Sequence, residues 1–273
     1  MFLFLSIYAG IRIFVADRFK IPTESMLPTL KPGDDILVNK TLMGARLYTN
    51  YDFNKDGGTL YSFRLNGIRK IKMNDIVVCN KYKFRDGIKF KLNDLICKRC
   101  VGLPGDSVSI KDGFYYNNNY EGVIGDKMSQ AYLATQDSSQ IGEHSFRTFP
   151  KKRQIPWTIR NFGPYYVPRQ DDVIYLDAKN ALIYKDQLEW ELGKSISVDW
   201  NNNEAYADGE RIRKHRFLHN YYFLAGDNVL SSDDSRYRGP VPEEYIVGVA
   251  TRVLYSQDED KGGYRWERLW KKL

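Results

Sequence analysis

Three cysteines and three histidines in 273 residues leave little from which to build a disulfide framework or a metal centre. Any pairing of Cys79, Cys97 and Cys100 strands one thiol, so the fold has to stand on packing. Cys97 and Cys100 have the C-x-x-C spacing of a redox or metal motif, but they flank Lys98 in Leu-Ile-Cys-Lys-Arg-Cys-Val, a run that reads as a buried strand. Residues three apart on a strand face opposite sides, so these thiols read as small buried hydrophobes. His144, His215 and His219 show no ligand spacing. Also missing are a Gly-x-Ser-x-Gly elbow, a Ser-x-x-Lys, a His-Glu-x-x-His and a phosphate-binding glycine loop, which excludes the corresponding hydrolase, zinc-enzyme and nucleotide-binding arrangements. No internal repeat or low-complexity linker divides the chain. Residues 1–16 are apolar apart from Arg12, yet at ~1.5 Å per residue they span only ~24 Å, short of the ~30 Å of bilayer hydrocarbon.

What is present favours strands. Hydrophobic residues make up 42% of the chain and aromatics 14%, with 20 Tyr and 14 Phe, enough for a sizeable core of β-rich character. The net charge of +7 is spread along the length among 34 acidic residues, which reads as a solvated face rather than a nucleic-acid surface; it would also suit a body held near anionic headgroups. Strand-like runs fall at 35–38, 75–79, 95–101, 107–110, 173–176, 221–225 and 246–254. Leu-Pro-Gly-Asp at 103–106 predicts a turn closing a hairpin beside Lys98. Residues 111–219 are rich in Asn, Tyr and Lys, contain a predicted helix at 178–192 and an ordered segment at 157–168, and read as an insertion. No small-residue cleavage site follows the apolar start. Residues 1–18 are therefore expected to be an uncleaved membrane helix, lengthened by snorkelling of Arg12, Arg18 and Lys20, with the body at 19–273.

Three short segments carry chemistry. In Thr-Glu-Ser-Met-Leu-Pro-Thr-Leu at 23–30, neighbouring prolines predict a rigid, extended backbone that holds Ser25 in place. In Lys-Arg-Cys-Val-Gly-Leu-Pro-Gly-Asp at 98–106, apolar neighbours surround a lysine that by itself would read as a solvated side chain. Gly-Asp-Asn-Val-Leu-Ser-Ser-Asp-Asp-Ser-Arg-Tyr-Arg-Gly at 226–239 would by itself be an acidic loop with a surface ion pair. A Ser25, His219, Asp227 triad is the rival arrangement. A serine hydroxyl needs a base, and a lysine can serve only if its site depresses the usual pKa of ~10.4 by roughly two to three units, about 3–4 kcal/mol of desolvation.

In this order, behind an apolar start, the three segments resemble the type I signal peptidases. The resemblance implies a mainly β body, an antiparallel sheet or half-barrel of signal-peptidase type with an inserted smaller region, behind an N-terminal membrane helix. It implies Ser25 as nucleophile, Lys98 as base, and Thr23 with the Ser25 N–H as oxyanion donors, Thr standing where relatives more often carry Ser or Gly. By the same resemblance Ser232 bonds the lysine amine, Asp234 pairs with Arg236, and Arg99, Gly226, Asp227 and Asn228 support the site. Cys100 replaces the usual aliphatic or small residue of the lysine segment. No metal or cofactor is implied. The partners implied are preproteins with small residues at positions −3 and −1 before the cut, and the lipid bilayer, touched by Met26 and Leu27; no nucleic acid is implied, and a monomer is expected. The body is placed on the extracytoplasmic face of the bacterial plasma membrane, although the basic C-terminal flank of the helix runs against the positive-inside tendency; a charged segment further upstream would reconcile the two. A catalytically silent, tethered relative that only binds exported polypeptides is the other reading. Repressor autoproteases need an N-terminal DNA-binding unit for which position 25 leaves no room.

Overall fold

A computed structural model of the chain describes residues 2–49, 62–84, 87–90, 94–137, 139, 141–258 and 262–273. Strands dominate it. One antiparallel sheet of seven strands is built from β1 (Ala16–Lys20), β2 (Asp34–Asn39), β3 (Ile76–Asn80), β4 (Leu95–Gly102), β5 (Tyr221–Ala225), β6 (Val241–Pro242) and β7 (Ile246–Ser256), in spatial order β1-β2-β7-β3-β4-β5-β6. β3 and β5 are buried at every residue, as central strands with both faces covered should be. β7 meets β2 and β3 through three register shifts; such bulges bend a strand, and here they curl the sheet.

Two clusters, one of Ile21, Met26, Leu30, Ile36, Val38, Cys97 and Val253 and one of Val77, Cys79, Cys100, Leu224 and Ile246, pack against the sheet. Cys97 and Cys100 thus lie in different clusters, as their strand spacing requires, and all three thiols are free and buried. Burial pushes the Cys79 and Cys97 thiols up to about 12, which keeps them protonated.

Ser107–Lys111 follows β4 after a tight turn in which Asp106 N donates to Leu103 O (3.0 Å) and Gly105 takes φ 94°. The expected hairpin does not form: Ser107–Lys111 pairs instead with Phe114–Asn117 and Phe162–Tyr166 in a second sheet. The Asp106 carboxylate accepts from Leu103 N, Asn117 Nδ2 and Asn119 Nδ2, so the turn is pinned to the second sheet rather than folded back on β4. The rest of 111–219 holds Lys127–Thr135, short strands and a meander of Ile196–Asp199, Glu204–Ala207 and Glu210–Ile212. Its core, with Phe162, Tyr165, Leu188 and Phe217, is continuous with Val101, Phe223 and Ala225 of the main sheet. The helix predicted at 178–192 is two, Ala178–Ile183 and Lys185–Leu192, broken at Tyr184 (φ −100°, ψ 14°), whose hydroxyl donates to Tyr166 O at 2.9 Å. In the segment 157–168, Trp157 and Phe162 rings meet at 4.6 Å.

The N-terminus differs from expectation. Phe2–Gly10 is α-helical and Ile11–Val15 a wider π-turn, but Ala16–Lys20 is strand, paired to β2 from Ala16↔Asn39 to Lys20↔Asp35. Asp17 and Arg18 end the apolar pattern, and Arg18 ties to Asp35 (2.7 Å) in the sheet. Among the described residues no helix is long and apolar enough to cross a membrane.

Candidate active site

Ser25 follows β1 in a tightly turned segment, not an extended one. Leu27 N donates to Glu24 O (3.0 Å) and Leu30 N to Met26 O (2.9 Å), because Met26 and Leu30 must both turn into the core, where they are 1% and 0% exposed. Met26 is therefore not a lipid contact. Long-range ties fix the loop: Asn228 N donates to Ser25 O (3.2 Å), Asn228 Nδ2 to Glu24 O (3.2 Å), and Arg268 to Thr29 O (2.9 Å) while also clasping buried Asp34.

Lys98 lies on β4 opposite Val77 of β3 and is 5% exposed. Its Nζ donates to Ser25 Oγ at 2.7 Å, so the two residues 73 positions apart are in direct contact. Thr23 Oγ1 lies 3.4 Å from the same hydroxyl. Next on β4, Arg99 turns to the opposite face and grips Asp227 through two bonds of 2.6 Å, with further donations to Asn74 O (2.9 Å) and Thr29 Oγ1 (3.2 Å).

The 226–239 segment closes the site from β5. A Cβ on Gly226 would fall 2.4 Å from Ser25 O and 2.2 Å from Ser232 Oγ, so only glycine lets the loop lie against the serine. Asp234 sits beneath it, accepting from Gly226 N (2.9 Å), Ser232 Oγ (2.6 Å) and Arg236, which is itself completely buried and bidentate. Burial by itself would raise the Asp234 carboxyl; the Arg236 charge and the donated bonds outweigh it and hold the group below the usual carboxylate range. Among the described residues Ser232 makes no hydrogen bond to Lys98, contrary to expectation; its hydroxyl donates to the buried, charged Asp234.

The rival triad does not assemble. His219 Nδ1 bonds Glu244 Oε1 (2.7 Å) and stacks on Trp190, while Asp227 is occupied by Arg99. Sequence reading missed Asp34, Asn74 and Arg268, which lie outside the three segments and carry no local pattern. It also missed a groove of about 320 Å3 beside the serine loop, walled by Leu27, Pro28, Met128, Tyr132, Val229 and Leu230. Among the described residues no group of His, Cys, Asp and Glu is arranged to hold a metal.

The chain is a hydrolase of the serine-type endopeptidase class. Residues 1–255 match the family described as "Signal peptidase, peptidase S26", and the chain belongs to that family, whose work is removing signal peptides. It is similar to the signal peptidase I of Buchnera aphidicola subsp. Acyrthosiphon pisum, 28% identical with 95% of this chain and 74% of that one covered. The signal peptidases I of Pseudomonas fluorescens (26%; 94% and 71% covered) and Aquifex aeolicus (26%; 94% and 82%) are similar too. A crystal structure of signal peptidase I from Enterococcus faecalis V583 aligns at TM-score 0.33 and 17% identity, covering 67% of this chain and 98% of that one.

Proposed function

We propose that the chain cuts signal peptides from exported preproteins with a Ser25/Lys98 dyad, working as a monomer anchored through its N-terminal helix to the extracytoplasmic face of the bacterial plasma membrane. The observation that carries this reading is the 2.7 Å contact between a buried lysine amine and the hydroxyl of Ser25. With the amine in its free-base form that contact runs the other way, hydroxyl to nitrogen lone pair. Ser25 Oγ then attacks the carbonyl carbon of the last leader residue while its proton passes to Lys98 Nζ. The oxyanion meets the Ser25 N–H and Thr23 Oγ1. As the C–N bond breaks, Lys98 returns the proton to the leaving amine; water then attacks the ester, Lys98 takes its proton and passes it to Ser25 Oγ as the acyl C–O bond breaks, which frees the leader and restores both residues.

Asp234 and Arg236 act at one remove, fixing Gly226 and Ser232 under the serine, while Arg99 and Asp227 anchor the loop from Asn228. Incubating detergent-solubilised protein with a preprotein tests the dyad: wild type is expected to release mature protein and Ser25→Ala to release none. Cleavage by Ser25→Ala rejects it.

A further inference from the structure

Beneath the N-terminal helix lies a cavity of about 420 Å3. Ile13, Leu47, Tyr48, Phe63 and Val247 give it apolar and aromatic walls, and Lys40 and Arg46 supply the charge. Arg46 is only 9% exposed, and its guanidinium donates to Glu244 O, Tyr48 Oη and Asn80 Oδ1 (2.6 Å), all neutral acceptors. Its Nε–H is shut from solvent and meets no acceptor. Arg64 likewise donates only to carbonyls, those of Gly44 (2.9 Å), Glu243 (3.2 Å) and Ile246 (2.5 Å). Lys40 Nζ donates to Arg12 O (2.5 Å) and reaches Asp17 at 3.4 Å, a carboxylate that Arg12 already holds at 2.8 Å.

Among the described residues no carboxylate forms an ion pair with Arg46 or Arg64; the nearby Glu243 and Glu244 carboxylates bond Asn220 and Tyr222, and His219. Burial holds Lys40, Arg46 and Arg64 below their usual basicity, and the Arg46 charge adds repulsion to the other two. Asp17 beside Lys40, and Glu243 and Glu244 near Arg64, offset part of the cost of burying this charge; Arg46, which among the described residues pairs with no carboxylate, is the cation that would gain most from an added anion. The apolar walls and the exposed side chains of Tyr8, Ile11, Ile13 and Phe14 just above it suit an anion that carries acyl chains.

We propose that this cavity binds the phosphate of an anionic phospholipid, Arg46 and Lys40 supplying the positive charge its oxygens meet while the chains lie along the N-terminal helix. The inference rests on the membrane-anchored reading above and adds a specific headgroup site to it.

Thermal unfolding of the full chain in dodecyl maltoside tests it, with added dihexanoyl phosphatidylglycerol, dihexanoyl phosphatidylcholine or inorganic phosphate. Phosphatidylglycerol at about ten times its Kd should raise Tm by about 3–6 °C, and the other two should not. Arg46→Met, and independently Lys40→Gln at the cavity mouth should Arg46→Met fail to fold, should remove the selective shift. Equal shifts with both lipids, a shift with inorganic phosphate alone, or selectivity surviving in Lys40→Gln and in any folded Arg46→Met overturns the proposal. Preprotein cleavage by the same wild-type preparation is scored separately, so loss of lipid selectivity and loss of the peptidase reading are told apart.

Discussion

On the proposed reading, one contact with Lys98 is what would turn the Ser25 hydroxyl into a nucleophile, and neighbouring atoms set its geometry. Thr23 Oγ1, 3.4 Å from Ser25 Oγ, is the side-chain candidate for the oxyanion. Thr23→Val, which keeps the shape and removes the donor, should lower kcat by about 10²–10³-fold with KM little changed, and Thr23→Ser should retain most activity. Gly226→Ala would drive a methyl against Ser25 O and Ser232 Oγ; steady-state kinetics should show a large fall in kcat, and denaturant unfolding a loss of about 1–3 kcal/mol. That Ser25, Lys98 and Thr23 come together was legible in the sequence because each sits in a short segment of unusual pattern. That Ser232 donates to Asp234 rather than to Lys98 was not legible, since it depends on which of two buried partners lies nearer.

Among the elements, the 226–239 loop depends on the buried Asp234 and Arg236 pair. Asp234→Ala, leaving Arg236 unpaired, should cost about 3–5 kcal/mol in chemical denaturation. Because the folded-state pKa of Asp234 is lowered, its stabilisation is fully present above the unfolded value of ~3.9 and is lost as pH falls through the folded value. The acid limb of wild-type stability should therefore be steeper than that of Asp234→Asn, as unfolding midpoints across pH 2 to 6 would show. The seven strand-like runs were legible to within two residues because alternation and turn residues mark them, as 221–225 and Tyr221–Ala225 coincide, whereas Phe114–Asn117 and the meander at Ile196–Asp199, Glu204–Ala207 and Glu210–Ile212 were not. Partnership was not. The turn at 103–106 exists, but periodicity cannot say that Asp106 is held by Asn117 and Asn119 and so sends the chain into another sheet. Ala16–Lys20 was hidden because the helical apolar run leads straight into it, and only pairing with β2 makes it a strand.

For the molecule as a whole, the strand that leads into Ser25 is continuous with the N-terminal helix, whose Phe4, Leu5, Ile7 and Tyr8 are exposed. On the proposed anchoring, a catalytic body carried on an apolar helix would meet a membrane-held leader at raised effective concentration. Deleting residues 1–15 should therefore slow cleavage of a preprotein in lipid vesicles by at least about tenfold, while leaving cleavage of a short soluble peptide nearly unchanged. A sizeable apolar core was foreseeable from composition; the continuity of 111–219 with the core of the sheet was not, because its apolar residues are scattered among Asn and Lys and converge only in space. The dyad remains the central claim, and Lys98→Ala tests it most directly, by timing release of mature protein from a preprotein. With folding verified by an unchanged circular dichroism spectrum, kcat should fall by about 10⁴-fold or more. Turnover within tenfold of wild type would contradict the assignment of Lys98 as the base.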